Sequence, residues 1–158
     1  MLISVLKNIT SVFIMAVCLF ISCNKDIVYN DFRPVPDKEW DKQFGFDFHF
    51  DLKDASIPYD ITLQLRNSVF YPYQNLWILF DELHSSEIEI KDTIEYRLVD
   101  DFGRWTGSGI TLFQNQFPIR TNYHFPDTGK YTIIIRHGMR DQRLKGMEDV
   151  GLQIRANK

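Results

Sequence analysis

The sequence predicts an all-β domain, an antiparallel β-sandwich of about eight strands that resembles a jelly roll. From Phe44 to Leu52, phenylalanine and leucine alternate with polar residues without a break, which predicts a strand with one buried face. Strands of this kind are typical of antiparallel sheets. Turn-forming residues separate further short strand-like segments, and no stretch of ten or more residues has a convincing helical period. Together these observations favour a sandwich with jelly-roll character.

Eight segments carry the predicted strands. Leu76–Phe80 is apolar on both faces, which is typical of a central strand, and the two segments on either side of Pro118 have the weakest patterns. The expected strands are Phe44–Leu52, Tyr59–Arg66, Leu76–Phe80, Thr93–Val99, Gly109–Phe117, Ile119–Phe125, Tyr131–Ile135 and Val150–Ile154.

The first 22 residues have the three parts of an export signal. Lys7 is basic, Ile9–Ile21 is uncharged and mostly apolar, and Ser22 is the small residue before a cysteine. The apolar run is shorter than the ~20 residues that a membrane-spanning helix needs, so we expect a cleaved signal. An uncleaved anchor and an ordinary secretory cleavage are the alternatives. The pattern predicts a lipoprotein maturation site in which Cys23 becomes the acylated first residue, although Phe20 stands where leucine is commonest.

Maturation at Cys23 would set the composition of the remaining chain. It removes Cys18 and Lys7, leaves no free thiol, and changes the formal net charge from −3 to −4. A mildly acidic chain is a poor partner for nucleic acid. We expect a signal peptide at residues 1–22, an acylated tether and lead-in segment at 23–42, and the sandwich at 43–158, with Trp40 docked on the sandwich.

No arrangement of residues in the sequence indicates catalysis. Asp47, His49 and Asp51 lie on one face of the predicted strand, in a row that is typical of a solvated face and does not converge on a metal. The acidic pairs 81–82 and 100–101 fall in predicted turns, and the usual hydrolase and zinc motifs are missing. We therefore predict no metal, no cofactor and no enzymatic activity. A hydrolase with a carboxylate pair is the least favoured alternative.

Aromatic and basic residues in loops are the candidates for a contact surface. Tyr71 and Tyr73 lie in a proline-stiffened loop, Trp105 lies in another, and Arg140 and Arg143 lie in the most basic stretch of the chain. Exposed rings and arginines would suit a protein partner or a stacked sugar. The alternatives are that the tyrosines cap the core and that the arginines pair with nearby acids.

Several ordered motifs resemble the gliding-motility lipoprotein family GldH, and the likeness covers nearly the whole mature chain, from about Tyr29 to Ile154. The resemblance implies an outer-membrane lipoprotein of gliding bacteria or their relatives, required for gliding and associated secretion, with no assigned catalytic residue. The matching segments are Leu65–Asn67, Tyr71–Leu76, Asp92–Tyr96, Gly103–Gly109, Gly129–Tyr131, His137–Arg140 and Leu144–Leu152.

The sequence and the resemblance together predict a non-catalytic interaction or scaffold component of the cell envelope. Lipid on Cys23 would hold it to the outer membrane. The periplasmic face is favoured because Lys25-Asp26 carries little acid for a surface-export tag. The expected partners are other motility or secretion proteins. The alternative is an envelope-displayed carbohydrate-binding module that uses Tyr71, Tyr73 and Trp105 as stacking rings.

Overall fold

The computed structural model describes residues 26–85 and 87–157. The predicted signal segment and Cys23 lie outside this part of the chain. The described residues form ten strands and one short 3-10 helix, Pro36–Lys38, and none of their helices is long and apolar enough to cross a bilayer. The strands are β1 Ile27–Pro34, β2 Glu39–Asp41, β3 Phe46–Leu52, β4 Tyr59–Ser68, β5 Asn75–His84, β6 Glu87–Arg97, β7 Leu112–Tyr123, β8 Gly129–His137, β9 Arg143–Lys145 and β10 Met147–Ala156.

Eight long strands build two antiparallel sheets that pack face to face. The first sheet has the order β1-β10-β4-β7, the second has the order β3-β8-β5-β6, and β2 and β9 form a separate two-stranded ribbon. Among the eight long strands, the first pairs with the last, the second with the seventh, the third with the sixth, and the fourth with the fifth. This nested pairing is the jelly-roll arrangement, so the predicted fold class is confirmed.

The alternation in β3 buries one face of the strand as predicted. Phe46, Phe48, Phe50 and Leu52 are buried in the core between the sheets, whereas the intervening polar residues are exposed. Phe44, at 45% exposure, precedes the strand and lies outside the core. The period-two pattern therefore identified the buried face correctly, and the strand begins two residues later than expected.

A single strand, β7, replaces the two weak strands predicted around Pro118. β7 is at the edge of its sheet and pairs only with β4. A proline has no N–H to donate, but an edge strand has one side without a partner, so Pro118 can sit within it. The register between β4 and β7 shifts near Ile61, close to this proline. The proline interrupted the sequence pattern without interrupting the strand.

The sandwich also includes residues that the sequence assigned to the tether. β1 pairs along its length with β10, and the Tyr29 ring lies 5.6 Å from the Phe50 ring between the two sheets. β1 is an edge strand with half-exposed residues and ends at Pro34, so its apolar pattern is weak. The sandwich therefore includes residues 27–34, upstream of the expected boundary at residue 43.

β5 is longer than predicted and includes the acids that were expected in a turn. Asp81 is buried and pairs with Arg136 on the neighbouring strand β8. Glu82 is buried and accepts a hydrogen bond of 3.0 Å from the Tyr123 hydroxyl. These carboxylates stay within the strand because Arg136 on the neighbouring strand and Tyr123 on the facing sheet compensate their burial.

The two ends of the sandwich differ in their connections. The tether end holds the start of β1 and the short β3–β4, β5–β6 and β7–β8 connections. The opposite end, which we call the loop end, holds the ribbon, the β4–β5 loop at residues 69–74, the β6–β7 loop at 98–111 and the β8–β9 loop at 138–142. All five predicted contact residues lie at the loop end.

Candidate contact surface

Trp40 and His137 dock the β2–β9 ribbon on the loop end. The Trp40 side chain is fully buried, its Nε1 donates to the Phe44 carbonyl at 2.9 Å, and its ring meets His137 edge to face at 5.4 Å. His137 Nε2 lies 3.0 Å from the Trp40 carbonyl oxygen and donates to it. Burial lowers the pKa of His137, which favours the neutral ring. The predicted docking of Trp40 is confirmed.

In the β4–β5 loop, the structure corrects the expected exposure of Tyr71. Tyr71 is buried, its hydroxyl donates to the Asn75 carbonyl at 2.8 Å, and burial raises its pKa. Its backbone N–H donates to the Ser68 carbonyl at 3.2 Å, which closes a turn that directs the ring inward. Phe70, at 80% exposure, is the outward-facing ring of this loop instead. Tyr71 therefore caps the core and is not a stacking ring.

Tyr73 and Asp141 join the β4–β5 loop to the β8–β9 loop. The Tyr73 hydroxyl donates to Asp141 Oδ2 at 2.6 Å, and this hydrogen bond raises the pKa of Tyr73. Tyr73 is half-buried, so part of its ring remains accessible. Tyr73 therefore contacts the segment that holds Arg140 and Arg143, through an acid of that segment.

The two candidate arginines differ in their surroundings. Arg143 lies 3.8 Å from Glu39 Oε2 and 3.8 Å from Asp41 Oδ2 on the paired strand β2, so it is engaged by acids of the ribbon. Arg140 is exposed, and no ion pair or hydrogen bond joins its side chain to another described residue. Arg140 is thus the arginine that is available for contact.

Trp105 is half-buried within the β6–β7 loop. Its ring stacks on Phe113 at 5.3 Å and lies 6.4 Å from Tyr71, and this packing leaves only part of the indole at the surface. Beneath the Trp105 ring, two buried amide side chains stabilise the β6–β7 loop. Asn115 Nδ2 donates to Asn67 Oδ1 at 3.0 Å, and the Thr106 hydroxyl donates to Asn115 Oδ1 at 3.2 Å.

The most exposed apolar side chains of the described part are at the loop end and were missed by the sequence analysis. Phe70, Phe102 and Ile110 are 80%, 83% and 89% exposed. Phe102 and Ile110 belong to the long β6–β7 loop, where no periodic pattern separates inward from outward residues. The exposure of these two side chains depends on turns that hydrogen bonds hold in place. Asp100 Oδ1, for example, accepts from the backbone N–H groups of Phe102 and Arg104 at 2.9 Å each.

A groove on the outer face of the second sheet adds an aromatic ring that the sequence analysis did not select. It has a volume of about 390 Å³ and lies between the start of β5 and the β8–β9 loop. Trp77, at 38% exposure, contributes its indole, and Tyr73 and Arg140 lie at the rim. Trp77 was missed because its segment has the apolar pattern of a fully buried strand.

The row Asp47, His49 and Asp51 lies on the exposed face of β3. His49 Nδ1 is 2.8 Å from the Thr132 hydroxyl on the neighbouring strand β8. Among residues 26–85 and 87–157, no three histidine, cysteine, aspartate or glutamate side chains come together as a metal-binding group. These residues therefore stay in a line along the sheet.

The fold and the surface define the class of protein. It is a jelly-roll domain that displays aromatic, aliphatic and arginine side chains at one end, on loops braced by buried polar contacts.

The chain belongs to the GldH lipoprotein family, whose family model matches residues 27–154. It is 31% identical over 151 residues to the gliding motility lipoprotein GldH homolog of Christiangramia forsetii, covering 90% of this chain and 92% of that protein. It is 26% identical over 157 residues to the gliding motility lipoprotein GldH of Flavobacterium johnsoniae, covering 94% of this chain and 96% of that protein. The predicted family is confirmed.

Among solved structures, similarity is weak. Dimeric latent PorU from Porphyromonas gingivalis matches with a TM-score of 0.36 and 7% identity, covering 84% of this chain and 13% of that one. The infectious bursal disease virus VP2 subviral particle matches with a TM-score of 0.34 and 10% identity, covering 81% of this chain and 30% of that one.

Proposed function

We propose that this protein is a lipid-anchored, non-catalytic interaction component of the gliding-motility machinery and its associated secretion system. It is held by acyl chains on Cys23 to the periplasmic face of the outer membrane, where it binds other envelope proteins through the loop end. The observation that carries the proposal is the concentration of exposed apolar side chains at the loop end, represented by Phe70, Phe102 and Ile110.

The relatives support the proposed lipid anchor and the proposed role in gliding motility. Two proteins that match nearly the whole chain are named gliding motility lipoproteins or homologues of one, and the family is a lipoprotein family. The sequence places Cys23 directly after an apolar export segment and a small residue. One acyl chain gives only marginal membrane binding, so stable attachment at Cys23 requires more than one.

The position of β1 supports an orientation in which the loop end points away from the membrane. Asn24, Lys25 and Asp26 separate Cys23 from β1, so even a fully extended link spans only about 14 Å. β1 starts at the tether end, and a ten-residue strand such as β10 carries the chain roughly 30 Å along the sandwich. A short link therefore keeps the tether end near the bilayer and turns the loop end away from it.

The side chains at the loop end are suited to binding a protein. Exposed aromatic and aliphatic groups lose unfavourable hydration when a partner covers them, and aromatic residues and arginine supply a large share of interface energy. The β6–β7 loop is fixed before binding by contacts such as the 3.2 Å hydrogen bond from the Thr106 hydroxyl to Asn115 Oδ1. A preformed surface loses less conformational entropy when it binds.

The test is capture of envelope proteins from native membranes by the tagged full chain. The double variant Phe70→Ser and Phe102→Ser should lose its partners while its melting temperature stays close to wild type, because both rings are exposed. Ile88→Ser is the matched control, since Ile88 is an exposed apolar residue near the tether end. Capture that is unchanged by the double variant, or lost equally in the control, would contradict the proposed surface.

The anchor is tested separately by Cys23→Ala. This variant should leave the membrane fraction or keep its signal segment, because it has no thiol to acylate. Metabolic labelling with a fatty-acid probe, followed by fractionation, measures the outcome. Wild-type labelling and membrane association of the variant would refute attachment through Cys23.

A further inference from the structure

The lining of the groove over Trp77 does not include the exposed loop rings Phe70 and Phe102. The groove lies on the outer face of the second sheet near the loop end, and its volume of about 390 Å³ falls within the range of small-molecule sites. A second hollow, lined by Gln74, Asn75, Glu95 and Arg97, shares Asn75 with it. The two hollows are therefore neighbours at Asn75, at the start of β5.

The floor of the groove has an accessible aromatic platform. Trp77 points outward and is 38% exposed, whereas its neighbours Leu76 and Ile78 point into the core. Gly138 lies beside it and has no side chain, and its N–H donates to the Trp77 carbonyl at 2.7 Å. A flat indole face with an apolar body and a polar N–H suits a ligand that has an apolar face and polar edges.

The rim of the groove supplies both donors and acceptors. Arg140 brings a guanidinium that no described residue engages, and Asp141 accepts from Tyr73 while keeping lone pairs for further bonds. Asn75 donates its amide to Glu95, which leaves its side-chain carbonyl to accept. A hydroxyl group both donates and accepts, so a ligand with several hydroxyls can pair with all of these side chains.

The charge balance of the rim disfavours an anionic ligand. Arg140 is the cation of the groove that no described residue engages, and Asp141 also lines the groove. The second hollow adds Glu95 and Arg97, of which Arg97 is paired with Asp101 at 2.6 Å. An acidic ligand would meet two like charges as well as the guanidinium, whereas a neutral polyol meets no repulsion.

We infer that the groove over Trp77 binds a neutral oligosaccharide, with one sugar ring stacked on the indole and its hydroxyls bonded to Arg140, Asp141 and Asn75. This site lies apart from Tyr71, which is buried, and from Trp105, which is stacked on Phe113. The inference goes beyond the proposed protein-binding role, since it concerns a different set of residues at this end of the sandwich and another class of ligand.

The test uses the full chain purified in a sugar-free detergent and applied to an array of neutral oligosaccharides, among them cello-, chito- and manno-oligosaccharides, beside uronic-acid and sialylated ones. At least one neutral class should bind and the acidic classes should not. The best neutral probe is then titrated by calorimetry. Trp77→Ala should weaken its binding at least tenfold, and Arg140→Ala should weaken it several-fold.

Gly138→Leu provides a variant that blocks the groove and preserves the platform. A Cβ at Gly138 would lie 3.4 Å from the nearest atoms of Trp77 and Leu79, which is ordinary contact, and the backbone there is not left-handed. The fold should therefore tolerate the leucine, which projects into the groove and should abolish sugar binding. Ile88→Ser, at an exposed residue near the tether end, is the control and should bind the sugar like wild type.

Three results would overturn the inference: binding to none of the neutral probes, binding only to acidic probes, and neutral binding that survives both Gly138→Leu and Arg140→Ala. Gly138→Leu and Arg140→Ala keep the test decisive if Trp77→Ala fails to fold. If Gly138→Leu instead removes an envelope protein from the membrane capture while no sugar binds, the groove belongs to a protein partner. The Phe70 and Phe102 double variant tests the proposed function independently of these outcomes.

Discussion

At the scale of single residues, neighbours in β3 have opposite environments. Phe48 is fully buried, with the Arg33 guanidinium 5.2 Å from its ring centre and Tyr29 packed edge to face at 6.5 Å. His49 is exposed and contacts the Thr132 hydroxyl on the outer face. The strand geometry alone creates this difference, because successive side chains point to opposite faces of a sheet.

The first prediction compares these two positions. Phe48→Asp should unfold the domain, since truncation of a buried phenylalanine already costs about 3–5 kcal/mol and an unpaired buried charge adds to that cost. His49→Asp should change the stability by less than about 0.5 kcal/mol, as is usual for surface substitutions. Thermal melts followed by circular dichroism measure both variants. A cooperative wild-type melt for Phe48→Asp would show that the strand faces are assigned the wrong way round.

His137 links the stability of the domain to pH. Its ring is buried, its Nε2 donates to Trp40, and its Nδ1 has no hydrogen-bond partner in the described part of the chain. Burial lowers the pKa in the folded state, whereas the hydrogen bond to the Trp40 carbonyl opposes this shift. Below the ordinary histidine pKa of about 6.5, the unfolded chain binds a proton that the folded chain resists.

The second prediction is that His137 contributes stability above about pH 6.5 that is progressively lost at lower pH. Urea unfolding at about pH 7.5 and about pH 5 should therefore show a smaller loss of stability for His137→Gln than for wild type. Glutamine keeps a side-chain donor for the Trp40 carbonyl without a group that titrates in this range. Equal losses in the two proteins would mean that other groups carry the pH dependence.

At the scale of elements, Gly146 joins the ribbon to the sandwich. It lies between β9 and β10, its N–H donates to the Lys38 carbonyl at 3.0 Å, and its carbonyl accepts from the Ser68 N–H at 2.9 Å. Its φ is +78°, and an added Cβ would lie 2.8 Å from the Phe70 carbonyl carbon. The ribbon can therefore approach the β4–β5 loop only with glycine at this position.

The third prediction uses Gly103 as a matched control. Gly103 has the same φ of +78°, but an added Cβ would meet nothing within 4 Å. Gly103→Ala should cost only about 1–2 kcal/mol for the left-handed backbone. Gly146→Ala should cost distinctly more, because backbone atoms must also move. Denaturant midpoints measure the difference, and equal costs would show that the close approach at Gly146 is absent.

At the scale of the whole molecule, the jelly roll closes through pairing of its first and last long strands. β1 covers the edge of β10, and Tyr29 reaches from β1 to Phe48 and Phe50 on the opposite sheet. Without β1, the core side chains near Tyr29 would meet water and β10 would become a free edge, which promotes aggregation.

The fourth prediction is that a fragment beginning at Asn24 folds and a fragment beginning at Gln43 does not. The shorter fragment lacks β1 and the buried Trp40, and such losses rival the ~5–15 kcal/mol by which a typical domain is stable. Size-exclusion chromatography and thermal melts of the two fragments measure the outcome. A monomeric shorter fragment that melts like the longer one would place the domain boundary at residue 43, as the sequence pattern suggests.

Local periodicity determined much of this protein without any tertiary information. The alternation in β3 identified the buried face because side chains in a strand must alternate between the two faces of a sheet. The all-β class and the family followed from patterns and motifs of the same short range. Those features depend on neighbours in sequence, which is why a single sequence contains them.

Tertiary structure alone decided the ends of the strands and the surface. β1 is a strand because β10 lies beside it, and Pro118 remains within β7 because that strand is at an edge. Contrary to their local patterns, Tyr71 turns inward and donates to the Asn75 carbonyl, whereas Trp77 lies on the outer face of the second sheet and is 38% exposed. Exposure in a loop depends on residues far away in the chain, and no local pattern records them.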